Sequence, residues 1–193
     1  MAKRYSQLID LAAEIAPRHV VEVGVHGAIR AVKICARALR ASKNVSYTGY
    51  DVFDTMDEQF QMAALNGKGT ATEALARSRL DDLKSKGRFD YRLVVGDTRK
   101  TLHGKQVAAD LAFIDGDHRV EVIAGDYEAL QGSKVVVFDD FYRAGPQGKT
   151  PDIQRFGANQ LIDELIDQGR DVQILPVGDQ TKDGWLSHLV VVR

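Results

Sequence analysis

The chain has 193 residues, 44% of them apolar and 27% charged, with a formal charge of −1. This composition suits a globular chain with a full core and excludes a disordered one, and the balanced charge gives no broad electrostatic reason to bind nucleic acid or an anionic membrane. The one cysteine, Cys35, excludes an internal disulfide and a cysteine-built metal site.

Tyr5, Leu8, Ile9, Ala12 and Ile15 recur at helical spacing, and Pro17 ends that helix. The opening residues, Met1 to Tyr5, lack the apolar centre of a signal peptide. No apolar run approaches the roughly 20 residues of a spanning helix. A cytoplasmic enzyme or binding protein, with no membrane partner, is therefore expected. His19 to Val23 is a β-branched run closed by Gly24, as in a buried strand. Ile29, Val32, Ala36 and Leu39 mark a helix face. Val45 to Tyr50 reads as a strand ending in Asp51. Residues 54 to 69 show no period. Thr70 with Glu73 reads as a capping box, Ala76, Leu80 and Leu83 continue that helix, and Gly87 stops it.

The alternation then repeats. Tyr91 to Val95 is a strand ending in Gly96-Asp97, followed by a helical turn from Thr98 to Leu102. Ala109 to Ile114 is a strand, and Val120, Ile123, Tyr127 and Leu130 form a helix face. Lys134 to Phe138 is a strand, residues 145 to 150 a loop, and Phe156, Leu161, Ile162, Leu165 and Ile166 a helix. Val172 to Leu175 and Ser187 to Val192 can pair as an antiparallel hairpin. Strand and helix in alternation predict an α/β fold: a Rossmann-like, doubly wound, mostly parallel seven-stranded sheet with an antiparallel C-terminal strand. No internal repeat or linker divides residues 1–193, so one domain is expected.

Ligands bind at the carboxyl ends of strands in such sheets, and four of these ends are acidic. Gly24 allows a sharp turn and a close backbone approach to a ligand. His26 lies on that turn and could touch the same ligand. Asp51 suits a ribose diol, with a loop acid or helix cap as the alternative. Asp97 can accept from an exocyclic amine or hydroxyl, or cap the turn at Thr98. Asp115, Asp139 and Asp140 offer hard oxygen ligands, which favour Mg²⁺, Mn²⁺ or Ca²⁺ over zinc. Asp117 reads as a cap for the helix beginning near Arg119. His118 stands beside this acidic group, where an imidazole could take a proton; the alternative is a hydrogen-bonded structural histidine. His19, His103 and His188 read as structural.

The motifs VEVGVHG, YTGYD, VVGD, FIDGDH and VVVFDD, in that order and spacing, resemble those of class I S-adenosylmethionine-dependent methyltransferases. FIDGDH and FDD are similar to the small metal-dependent O-methyltransferases that include the macrolide-sugar enzymes. The resemblance implies that Glu22 and Gly24 hold the methionine part of S-adenosylmethionine, Asp51 its ribose and Asp97 its adenine. It further implies that Asp115, Asp139 and Asp140 hold Mg²⁺ or Mn²⁺ and that His118 is the catalytic base. The acceptor would be a small molecule with a hydroxyl, such as a sugar or diol, under a lid formed by residues 54 to 69 and 141 to 151. The glycine turn departs from the pattern, with Val25 and His26 where relatives often carry more glycine. The sequence leaves open an inactive cofactor-binding module, a nicotinamide-dependent oxidoreductase and assembly into a homo-oligomer.

Overall fold

Apolar residues on both faces make His19–Val23 a central strand, and the rest of the architecture is arranged around it. A computed structural model describes residues 2–55, 70–143, 157–182 and 184–193. In chain order the elements are α1 (Tyr5–Ile15), β1 (His19–Val23), α2 (Ile29–Ala38), β2 (Val45–Asp51), α3 (Glu73–Lys84), β3 (Phe89–Val95) and α4 (Thr98–Thr101). There follow β4 (Leu111–Ile114), α5 (Val120–Leu130), β5 (Val136–Tyr142), α6 (Gly157–Asp167), β6 (Val172–Ile174), β7 (Asp179–Gln180) and β8 (Leu186–Val192).

The strands form one eight-stranded sheet in the order β3-β2-β1-β4-β5-β8-β6, with β7 paired to β8. The first five strands of that order run parallel, and β8 lies antiparallel to both β5 and β6. The doubly wound sheet with reversed C-terminal strands is thus as expected, and the Asp179–Gln180 ribbon adds one strand. Successive side chains on a strand point to opposite faces. Phe113 and Val137 therefore pack with Leu8 of α1, Ile34 of α2 and Leu80 of α3. Ala112, Ile114 and Phe138 pack with Tyr127, Leu130 and Ile162 of α5 and α6. Cys35 is buried in the first of these cores, as expected of a small apolar residue.

Three local expectations are corrected. The cap of α3 is Thr72, whose side chain accepts from the Leu75 N–H at 3.2 Å; Thr70, two residues earlier, lines a cavity instead. β3 begins at Phe89 because its pairing with β2 starts at Val45. β5 runs on past Phe138 to Tyr142, because β8 is long enough to pair with Phe141 and Tyr142 after a register shift. Asp139 and Asp140 therefore sit in a bulge inside the strand, and Asp140 takes a left-handed backbone, φ 55°.

The predicted loop at 145 to 150, Phe156 and most of the two predicted lid segments lie outside the described residues. Among the described residues no helix is long and apolar enough to cross a membrane.

Candidate functional site

Strand β1 pairs with β2 on one side and β4 on the other, so the sheet changes direction of growth beside it. A crevice is expected at the carboxyl ends of strands flanking such a point. A cavity of about 540 Å³ lies there, bordered by the ends of β1, β2, β3 and β4.

Gly24 closes β1 with φ 89°, and a Cβ on it would stand 1.9 Å from the Asp115 carbonyl oxygen. The glycine therefore serves the approach of β4 as much as that of a ligand. Its N–H donates to the Tyr50 carbonyl at 2.9 Å, and the Asp115 N–H donates to the Val23 carbonyl at 2.8 Å. These two bonds tie the three strand ends into one rim. His26 and Ala28 also take left-handed backbones, so the turn is strained at two residues that carry a Cβ. The His26 N–H donates to Asp51 Oδ2 at 2.7 Å, and the Phe53 N–H to Asp51 Oδ1 at 2.6 Å. Asp51 is thus oriented at the cavity wall by one N–H on each oxygen, and each oxygen keeps a further lone pair.

Asp97 and Asp117 repeat one motif, just past the ends of β3 and β4. Asp97 caps α4 through the Arg99 N–H at 2.9 Å and pairs with the Arg99 guanidinium at 2.5 Å. Asp117 accepts the Arg119 N–H at 2.8 Å and pairs with the Arg119 guanidinium at 2.5 Å. Both acids line the cavity, so capping and lining coexist. The Arg99 guanidinium holds the Asp97 carboxyl below the usual carboxylate range.

Glu22 does not line the cavity; it is fully buried beneath it. Its Oε2 accepts from the Tyr47 hydroxyl at 2.5 Å, and its Oε1 lies 3.5 Å from Arg30 Nε. Burial pushes the Glu22 carboxyl up to about 7, with Arg30 and Tyr47 pulling it back. Arg30 carries this layer to the cavity surface. Its Nη2 donates to the Gly24 carbonyl at 3.0 Å and pairs with Asp115 Oδ2 at 2.6 Å.

The second acidic strand end has its own arginine. Arg4 Nε and Nη2 donate to the two oxygens of Asp139 at 2.7 and 3.1 Å. The Tyr5 hydroxyl donates to Asp139 Oδ2 at 2.5 Å. Burial raises the Asp139 carboxyl, but Arg4 and Tyr5 outweigh it and hold the group below its ordinary value. Asp140 follows in the bulge, with its Oδ1 3.5 Å from Arg4 Nη2 and its Oδ2 3.3 Å from His118 Nδ1. His118 lines both the large cavity and a small one of about 20 Å³ between the ends of β4 and β5.

The expected metal ligands are thus close in the fold but do not fit one ion. Asp115 is held by Arg30, Asp139 by Arg4 and Tyr5, and Asp140 by His118. Among the described residues no group of three or more His, Cys, Asp or Glu side chains is arranged to hold a metal. Sequence reasoning missed Arg4, Tyr5, Arg30 and Tyr47. Nothing local marks Arg4 or Tyr5, which lie 135 and 134 positions from Asp139. Arg30 stands just after the glycine turn, a position where a basic side chain can reach back to the strand ends.

The family model described as a methyltransferase domain matches residues 21–141, which run from within β1 to within β5 and include most of the cavity rim. The chain belongs to this methyltransferase-domain family. No curated protein matches it. Solved structures match its fold along the whole length. Cofactor-bound Rv0187 from MTB is 20% identical with a TM-score of 0.68, the match covering 100% of this chain and 80% of that one. An O-methyltransferase from Bacillus cereus in complex with SAH is 16% identical with a TM-score of 0.66, covering 100% and 81%. The O-methyltransferase TomG from Streptomyces achromogenes, in complex with SAM, is 16% identical with a TM-score of 0.59, covering 100% and 80%.

Proposed function

We propose that residues 1–193 form one cytoplasmic catalytic domain that transfers a methyl group from S-adenosylmethionine to a hydroxyl of a small acceptor, a sugar or other diol. The observation that carries this reading is the cavity with Asp51 on its wall. It falls within the size of small-molecule cofactor sites, ~300–1,000 Å³, and its lining mixes apolar Val23, Tyr50, Val52 and Ala71 with polar Asp51, Asp97 and Thr98. Such a lining suits a ligand with an aromatic base, a diol and a charged tail. The solved O-methyltransferases of like fold, with SAM or SAH bound, support the same donor.

Asp51 would accept both ribose hydroxyls on the lone pairs that its two backbone donors leave. Asp97 would sit by the base. The Gly24 turn would pass beneath the methionine part, with Glu22 acting on it only through Arg30, since Glu22 itself is buried. When bound, the sulfonium supplies an electrophilic methyl and leaves as a neutral thioether. With Nδ1 of His118 held toward Asp140, Nε2 is the nitrogen that would take the acceptor hydroxyl's proton. The cavity walls would hold the acceptor oxygen and the methyl together, a positioning effect that lowers the barrier. The carboxylates that would hold a divalent ion are already engaged by Arg4, Tyr5, Arg30 and His118.

Calorimetry with S-adenosylmethionine, followed by methyl transfer to a panel of sugars and catechols, tests the proposal. Binding with turnover on a hydroxyl acceptor is expected. Absence of binding would sink it, and binding without turnover across the panel would favour a non-catalytic module.

A further inference from the structure

The acidic edge formed by β4 and β5 raises an electrostatic question, since Asp115, Asp139 and Asp140 are close, largely buried carboxylates. Such a group is costly without compensating positive charge. Two arginines supply it, and the one at the β5 bulge is held by a purpose-built anchor. The Lys3 and Arg4 N–H groups donate to the two oxygens of Asp179, each at 2.8 Å. Gln7 and Val177 exchange two hydrogen bonds, both 2.9 Å. These contacts sew the start of α1 to the segment around β7. They leave the Arg4 side chain 12% exposed, with its guanidinium carbon 4.6 Å from the Tyr5 ring centroid. From there it forks onto Asp139 and lies 3.5 Å from Asp140.

We infer that Arg4 occupies the place, and supplies the charge, that a divalent cation would take between Asp139 and Asp140, so that this chain works without a metal. Metal-independent activity rests on the methyltransferase reading; exclusion of the ion does not. Two observations support it. A fork onto both oxygens of one carboxylate is the strongest geometry an arginine offers, and it blocks those oxygens as metal ligands. Asp139 also receives the Tyr5 hydroxyl and the Asp140 N–H, at 2.5 and 2.8 Å, so its acceptor positions are filled by protein donors. The space of about 20 Å³ between the strand ends has room for one water or a small ion, so volume alone does not keep an ion out. A positive charge already in place does. Arg4 also fixes Tyr5, which lines the large cavity, and is therefore a positioning residue for the site.

The test is Mn²⁺ binding followed by electron paramagnetic resonance, on the full chain as purified after chelation. The unaltered protein is expected to take up no stoichiometric Mn²⁺, and methyl transfer is expected to survive the chelator. Arg4→Gln is expected to gain Mn²⁺ affinity by about tenfold or more, and adding Asp139→Asn to it should abolish the gain. Stoichiometric uptake by the unaltered protein that Asp139→Asn removes would overturn the inference. So would an Arg4→Gln protein that folds, by circular dichroism, yet gains nothing. If Arg4→Gln does not fold, uptake by the unaltered protein decides alone. S-adenosylmethionine calorimetry on the same samples separates the two readings: its failure would remove the proposed methyl donor while leaving the Mn²⁺ result intact.

Discussion

The carbonyl oxygen of Asp115 lies 1.9 Å from where a Cβ on Gly24 would stand. The ends of β1 and β4 are therefore closer than any side chain at residue 24 allows, and the left-handed φ of 89° adds to the restriction. Gly24→Ala is expected to push these ends apart, break the Asp115 N–H bond to Val23 and lower stability by about 2 kcal/mol or more. Thermal unfolding measures this. A variant that melts with the unaltered protein and keeps its cofactor affinity would show that the rim tolerates the separation.

Asp51 separates cofactor binding from folding. Asp51→Asn keeps one acceptor for the His26 and Phe53 N–H groups but loses the charge offered to a diol. S-adenosylmethionine affinity should fall about tenfold or more, with a modest fall in melting temperature because the amide nitrogen then faces one of the two N–H donors. Unchanged affinity by calorimetry would remove Asp51 from the ribose role.

His118 should act on the chemical step. His118→Ala is expected to lower kcat by about a hundredfold or more and leave cofactor affinity unchanged. A parallel loss of cofactor affinity and kcat would instead assign His118 to binding.

Glu22 gives stability a defined pH dependence. Its carboxyl rises from 4.5 to about 7 in the folded chain, chiefly by burial. The folded state therefore keeps a proton that the unfolded state releases, so the stability Glu22 contributes is fully present below 4.5 and is lost as pH climbs through 7. The whole effect is about 3 kcal/mol. Glu22→Gln should flatten the melting temperature over that window, and an unchanged slope would locate the titration elsewhere. Asp139 acts with the opposite sign: held below its ordinary value of 3.8, it stabilises above that pH and its contribution fades as pH drops further.

Arg30 compensates two carboxylates at once, Glu22 and Asp115. Arg30→Met keeps the stem but leaves both acids without its charge. Breaking a buried ion pair costs about 3–5 kcal/mol, so chemical denaturation should show a loss of that order. A loss much below it would mean that water or Tyr47 compensates Glu22.

The order of elements was legible because each strand is a short β-branched or aromatic run and each helix an apolar stripe, patterns set within a dozen residues. Acids at strand ends were legible for the same reason: Asp115 is the first polar position after an apolar run, and Asp51 and Asp97 close strand-like segments. Asp139 and Asp140 were found but misplaced, since only the length of β8 carries β5 past them. Thr72 displaced Thr70 as the cap because the helix start depends on which threonine faces the cavity, a tertiary matter.

By itself, then, the amino-acid order determined a doubly wound sheet and the edge of it where chemistry belongs, since periodicity and strand-end polarity are local properties of the chain. Tertiary structure alone decided what those acids meet. Arg4 reaches Asp139 across 135 positions, and Arg30 joins Glu22 to Asp115. Charge compensation acts through space, so whether a carboxylate faces an arginine, a hydroxyl or open solvent is settled only when the chain has folded.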